Sequence, residues 1–168
     1  FKKENCEELA TCEEFTLQAG QTITRAEFAA LILQYTNQEL VSLAEKDFID
    51  LKSDHQYYME IQTAIASGLM KGDASGSTIR PDEGLNRAEA ITMLQRAFPI
   101  LNETNFTDKT SKFEDVSEEA WYLNTLSEAV YEGIIQGTSE TTFSPEQKLN
   151  RIEAIIMVQR LMEKEIFM

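Results

Sequence analysis

Three arginines stand in one local frame: Thr24-Arg25-Ala26-Glu27, Asn86-Arg87-Ala88-Glu89 and Asn150-Arg151-Ile152-Glu153. Thr or Asn followed three residues later by Glu is a helix-start capping box. The first side chain accepts from an early helix N–H, and the Glu reaches back to the cap amide. Capping accounts for those two residues and leaves the arginine over. A cation in the first turn faces the positive end of the helix dipole, so the placement is mildly unfavourable, yet it recurs in every frame. Two chemistries fit it. One is a structural salt bridge to a carboxylate of a neighbouring segment, with Asp50 and Asp115 as candidates. The other is capture of a ligand anion by the guanidinium together with free helix N–H groups. The residues alone leave both open.

Other reactive groups carry less. His55 is the single histidine, in Ser53-Asp54-His55-Gln56. That is a helix-start context, suited to capping or a surface role, and no enzyme is expected. Glu118-Glu119 reads as a solvated helix face. Asp73 to Asp82 is rich in oxygen side chains without the register of a calcium loop, so no metal site and no cofactor are expected. Cys6 and Cys12 lack the further ligands of a zinc site. A local disulfide fits an exported protein, and two free thiols a cytosolic one.

Composition narrows the partners. The 168 residues carry a formal charge of −14, against nucleic acid, whose binding needs clustered Lys and Arg, and against an anionic membrane surface. The longest apolar run, Phe28 to Leu33, is far short of a membrane span, so no membrane insertion is expected. No leader peptide is visible, and a chain opening on Phe reads as a processed or cut fragment.

The elements that position the arginines come from an internal repeat of about 60 residues. Phe48-Ile49-Asp50-Leu51 lies over Phe113-Glu114-Asp115-Val116. Tyr57, Ile61, Ala64 and Ile65 then meet Tyr122, Leu126, Ala129 and Val130. Gly68-Leu69-Met70-Lys71-Gly72 meets Gly133-Ile134-Ile135-Gln136-Gly137. After one deletion, Ile79-Arg80-Pro81 meets Phe143-Ser144-Pro145. Leu17-Gln18-Ala19 holds that place in a partial first copy, with the same spacing to its arginine. Each unit reads as helix, glycine cap, short extended piece and second helix. The second helices carry Phe28, Leu31, Ile32 and Tyr35; then Ala90, Ile91, Leu94 and Phe98; then Ile155, Val158, Leu161 and Met162.

The combined pattern F-x-D-[VL], W-Y, G-[IL]-x-x-G, F-x-P and [TN]-R-x-E resembles the S-layer homology domain, over 48–162 well and 15–36 in part. The resemblance implies an all-α fold of tandem helix-loop-helix repeats. They form one pseudo-threefold helical bundle with at most very short strands. The expected division is 1–36 (N-terminal segment and second half of repeat one), 37–47 (connector), 48–98 (repeat two), 99–112 (polar linker) and 113–168 (repeat three), all one structural domain. It further implies a secreted module that anchors proteins non-covalently to the bacterial cell wall. The ligand would be a secondary cell-wall polysaccharide, often ending in a pyruvate ketal, held in grooves between copies. Carried over by position, the ligand-binding residues are Arg25, Arg87, Arg151, Trp121, Gly72 and Gly137. Tyr57, beside the Gln56 that replaces the tryptophan in copy two, and the F-x-D residues Asp50 and Asp115 join the set.

A pyruvate ketal is a small carboxylate on a sugar, and suits a forked arginine, backbone donors and an aromatic face. The acidic surface restricts such binding to short range. Copy one lacks its first half and copy two its tryptophan. A groove of Arg87 and Trp121 is therefore the one expected intact. The alternative is a scaffold that has kept the fold, lost the glycan and mediates protein–protein assembly. A protein lattice or an attached surface domain is the further partner expected.

Overall fold

A computed structural model describes residues 18–42, 48–98 and 112–166. Within them lie five helices: α1 Arg25–Tyr35, α2 Tyr58–Ala66, α3 Arg87–Ala97, α4 Leu123–Tyr131 and α5 Arg151–Ile166. The all-α expectation holds: extended pairing among the described residues is limited to the isolated bridges Thr22–Asn150, Thr24–Gly84 and Asn86–Lys148. Cys6, Cys12, Leu17 and Pro99 lie outside the described residues.

Helices α1, α3 and α5 each begin at the repeated arginine, and the capping boxes form as the sequence dictates. Thr24 N donates to Glu27 Oε2 at 2.9 Å while Glu27 N donates to Thr24 Oγ1 at 3.1 Å. The same exchange joins Asn86 with Glu89 and Asn150 with Glu153. Helices α2 and α4 end at Gly68 and Gly133, whose φ of +76° and +69° suits a residue without Cβ.

The copies join head to tail around a closed hydrogen-bond ring. Ile23 N donates to Leu149 O (3.0 Å), Leu149 N to Leu85 O (2.9 Å), and Leu85 N to Ile23 O (2.9 Å). Each of the three precedes a helix cap by one residue, and all are buried. The next two amides of each helix are spent on the following copy. Arg25 N and Ala26 N donate to Glu83 O and Pro81 O, Arg87 N and Ala88 N to Gln147 O and Pro145 O, and Arg151 N and Ile152 N to Gln21 O and Ala19 O.

The ring sets the packing. α1 lies against both α3 and α5, α2 covers α1, and α4 covers α3. The expected helical faces fill the core: Phe28, Ile32, Ile61, Ala64, Ile91, Leu94, Leu126, Ala129, Val158 and Leu161 are buried, with Ile65, Val130, Ile155 and Met162 packed at its edge. Tyr35 departs from expectation. It sits in the last turn of α1, beside the exposed run 36–42, and is 37% exposed.

Candidate functional site

Each arginine reaches out of its own copy into the next. Arg25 donates from Nε to Ile79 O, from Nη2 to Lys71 O and from Nη1 to Glu89 Oε1, all at 3.2 Å. Arg87 repeats the backbone pair one copy on, with Nε to Phe143 O at 2.8 Å and Nη2 to Gln136 O. Arg151 closes the cycle, donating to Gln18 Oε1 at 3.2 Å and to Glu27 Oε1.

The salt-bridge reading therefore holds for Arg25 and Arg151, with a different partner from the one expected. The carboxylate is the capping-box glutamate of the next copy, not Asp50 or Asp115. Glu27 and Glu89 each use one oxygen on their own helix and turn the other to the neighbouring arginine. The anion reading also needs a correction. The helix-start amides are not free, because the next copy's carbonyls and the cap side chains already fill them. An anion there would meet the guanidinium without those amides.

Asp50 and Asp115 hold the loop that the arginine grips. Asp115 accepts Phe143 N and Ser144 N at 2.8 and 2.7 Å. Asp50 accepts Ile79 N at 3.0 Å and Arg80 N at 2.7 Å. The corner residues Arg80 and Ser144, like Gln18 in copy one, adopt left-handed φ of +54°, +58° and +46°. Such a corner points successive N–H groups into one concavity, an anion nest. Here the chain's own carboxylate fills it. Gly72 and Gly137 let the loop close down on the F-x-D phenylalanine. A Cβ on Gly72 would lie 2.8 Å from the Phe48 ring, and one on Gly137 2.5 Å from the Phe113 ring. That closure delivers the carbonyls of Lys71 and Gln136 to the arginines.

Arg87 differs from its counterparts. It makes no ion pair with any described residue, and Nη1 has no hydrogen-bond acceptor among them. Burial pulls its pKa below the usual arginine value, and the more distant Glu153 and Asp115 oppose this. An isolated buried charge gains from a counter-ion. The guanidinium carbon lies 4.6 Å from the Phe143 ring centroid, within cation–π range. From there an aromatic row runs outward: Phe143 to Tyr122 at 6.4 Å, then Tyr122 to Trp121 at 5.2 Å, edge to face. Trp121 ends the row 66% exposed.

Tyr57 is half-buried, and burial raises its pKa, with Glu27 adding to the rise and Arg151 opposing it. His55 braces it: Nδ1 accepts from Tyr57 N at 3.1 Å, and Nε2 lies 3.1 Å from Asp82 Oδ1. Sequence reasoning missed Arg80 and the second oxygen of the capping glutamates Glu27 and Glu89. The signal for Arg80 was its column, where the other copies carry Gln18 and Ser144.

The fold is thus an all-α ring of repeated arginine frames, each arginine reaching into the segment that follows. The S-layer homology domain matches residues 47–91 and 112–155, more than half of the chain, and the chain belongs to that family. It is similar over 88% of its length to the exoglucanase XynX of Acetivibrio thermocellus (31% identical) and to the amylopullulanase of Thermoanaerobacterium thermosulfurigenes (30% identical). It spans 13% and 8% of those two proteins. A cellulosome-anchoring protein of A. thermocellus is 27% identical over 84% of the chain, which spans 32% of that relative. The enzymes match through their S-layer homology regions. The chain is thus a cell-surface anchoring module of a secreted protein, from a family that binds cell-wall components. No described helix is long and apolar enough to cross a membrane.

Proposed function

We propose that the module holds its protein to the wall by binding a secondary cell-wall polysaccharide at the Arg87 groove, with a pyruvate-ketal carboxylate as the group that meets Arg87. One observation carries the reading. Arg87 is buried, braced by two carbonyls and without an ion pair among the described residues, at the inner end of an aromatic row whose outer end, Trp121, is exposed. Bracing fixes the fork in place before the ligand arrives, so little freedom is lost on binding. The exposed indole offers a flat apolar face to a sugar ring. Asp50, Asp115, Gly72 and Gly137 act by shaping the loops, and Arg25, Arg151 and Tyr57 complete the positions open to test.

The test is co-sedimentation with purified wall sacculi, before and after chemical removal of the polysaccharide. The wild type pellets only with intact walls. Trp121→Ala weakens pelleting while leaving the far-ultraviolet spectrum unchanged, because that side chain is mostly exposed. Arg87→Lys keeps the charge and loses the fork. Loss of one charge-assisted hydrogen bond, about 1.5–3 kcal/mol, corresponds to roughly tenfold to a hundredfold weaker binding. Equal pelleting of both variants and wild type would sink the glycan reading and leave the assembly scaffold.

A further inference from the structure

We infer that the Arg25 site carries its own anion and is closed to an external one, so that Arg80 and Glu89 set how many glycan ends the module takes. The inference rests on the glycan reading of the Arg87 site. Arg25 Nη1 and Arg80 Nη2 donate to the same oxygen, Glu89 Oε1, at 3.2 and 3.0 Å. Arg80 Nη1 donates to Glu83 Oε2 at 3.0 Å. Two guanidinium groups and two carboxylates thus alternate as Arg25–Glu89–Arg80–Glu83, with Lys148 Nζ 4.0 Å from Glu83 Oε1 at the outer end. The fit has a cost, since Arg80 Nε is buried without a partner among the described residues. A ligand carboxylate reaching Arg25 would have to displace Glu89, whose side chain is only 14% exposed, and strand it against a competing anion.

The Arg87 site is open at each equivalent place. The corner residue is Ser144 instead of Arg80, with its hydroxyl 2.8 Å from Thr138 Oγ1. Glu153 binds Asn150 N at 2.9 Å and forms no ion pair with Arg87. The Trp121 column holds Gln56 in copy two, so the closed site also lacks the indole. Closure and the missing indole go together, as they would if one site had passed from binding to bracing.

The decisive measurement is NMR titration of the wild-type module with a methyl hexoside bearing a pyruvate ketal, following the arginine Nε–Hε signals. The Arg87 signal shifts with saturation and the Arg25 signal stays in place. A saturable shift of Arg25 in the wild type overturns the inference. In the double variant Arg80→Ser/Glu89→Gln, where glutamine keeps an oxygen for the cap amide, Arg25 also shifts and one further equivalent binds. An Arg25 signal that still does not move there rejects the lock. The converse variant, Ser144→Arg, puts a guanidinium into a corner of the same left-handed conformation and weakens binding at Arg87 at least tenfold. Unchanged affinity in that variant also counts against the inference. If no arginine signal moves in any of these proteins, the pyruvate-glycan reading falls, and this inference with it.

Discussion

Replacing Asp115 with alanine separates a residue that builds the site from one that touches ligand. Its two oxygens accept Phe143 N and Ser144 N. Ser144 is partly open, so water can replace the carboxylate at its amide. Phe143 is fully buried, and its amide would be stranded. A stranded buried N–H costs about 1–3 kcal/mol, and the lost charge-assisted bond to the exposed amide adds on the order of 1 kcal/mol. The sum, about 3 kcal/mol, is a large fraction of a typical domain's stability of roughly 5–15 kcal/mol. At about 2–4 °C per kcal/mol for a chain of this size, the melting temperature falls by roughly 6–12 °C. Urea unfolding followed by circular dichroism measures the change, with the slope checked for two-state behaviour. Wall binding falls where part of the variant is unfolded, since Phe143 O then no longer holds Arg87 Nε, and it recovers at temperatures where the variant is fully folded. A variant as stable as wild type that no longer binds walls would refute this account and make Asp115 a ligand contact.

Further predictions follow from single contacts. Gly137→Ala forces a methyl against Ser139 O, the Phe113 ring and Thr142 O, the last two only 2.5 and 2.6 Å from a Cβ at that position, and destabilises by about 2–4 kcal/mol in urea unfolding. Gly20→Ala, with nothing within 4 Å of where a Cβ would sit, stays within about 0.5 kcal/mol. Asn86→Ala removes the α3 cap and costs about 1 kcal/mol, whereas a neutral result would mean the capping box holds no weight there. Asp73 titrates at about 2, held down chiefly by hydrogen bonds from Ser75 and then Thr78. Its folded value lies below its unfolded one, so its contribution is present above about 4 and fades as pH falls towards 2. Carbon-detected NMR of the Asp73 carboxyl reads this directly, and a midpoint near 4 would contradict the hydrogen bonds.

What the sequence made legible was local. The capping boxes, the glycine caps and the apolar faces of the helices each span a few residues, and hydrogen bonding within a turn dictates them. The arginine column was visible because it is what capping leaves unexplained. Its partners were not, because they lie far off along the chain: Arg25 meets residues 46, 54 and 64 positions away, and Arg151 meets Glu27 across 124. Asp50 and Asp115 looked like salt-bridge partners because carboxylates attract arginine. Backbone amides at a left-handed corner took them instead, and nothing in the residues Ile79-Arg80 or Phe143-Ser144 announces such a corner, since neither pair contains glycine. The occupied helix amides were hidden for the same reason, being filled by loops of the next copy.

The ring of Ile23, Leu85 and Leu149 has a consequence for how such modules can lengthen or shorten. In an open array of repeats each unit leans on its neighbours, and the ends are finished by special caps, so units can be added or removed one at a time. A ring of three has no end to extend. Inserting a fourth unit, or excising one, would break the amide cycle and leave an arginine without the loop it grips. The three segments joined by the ring are therefore interdependent, and the protein melts in one calorimetric transition rather than fraying segment by segment.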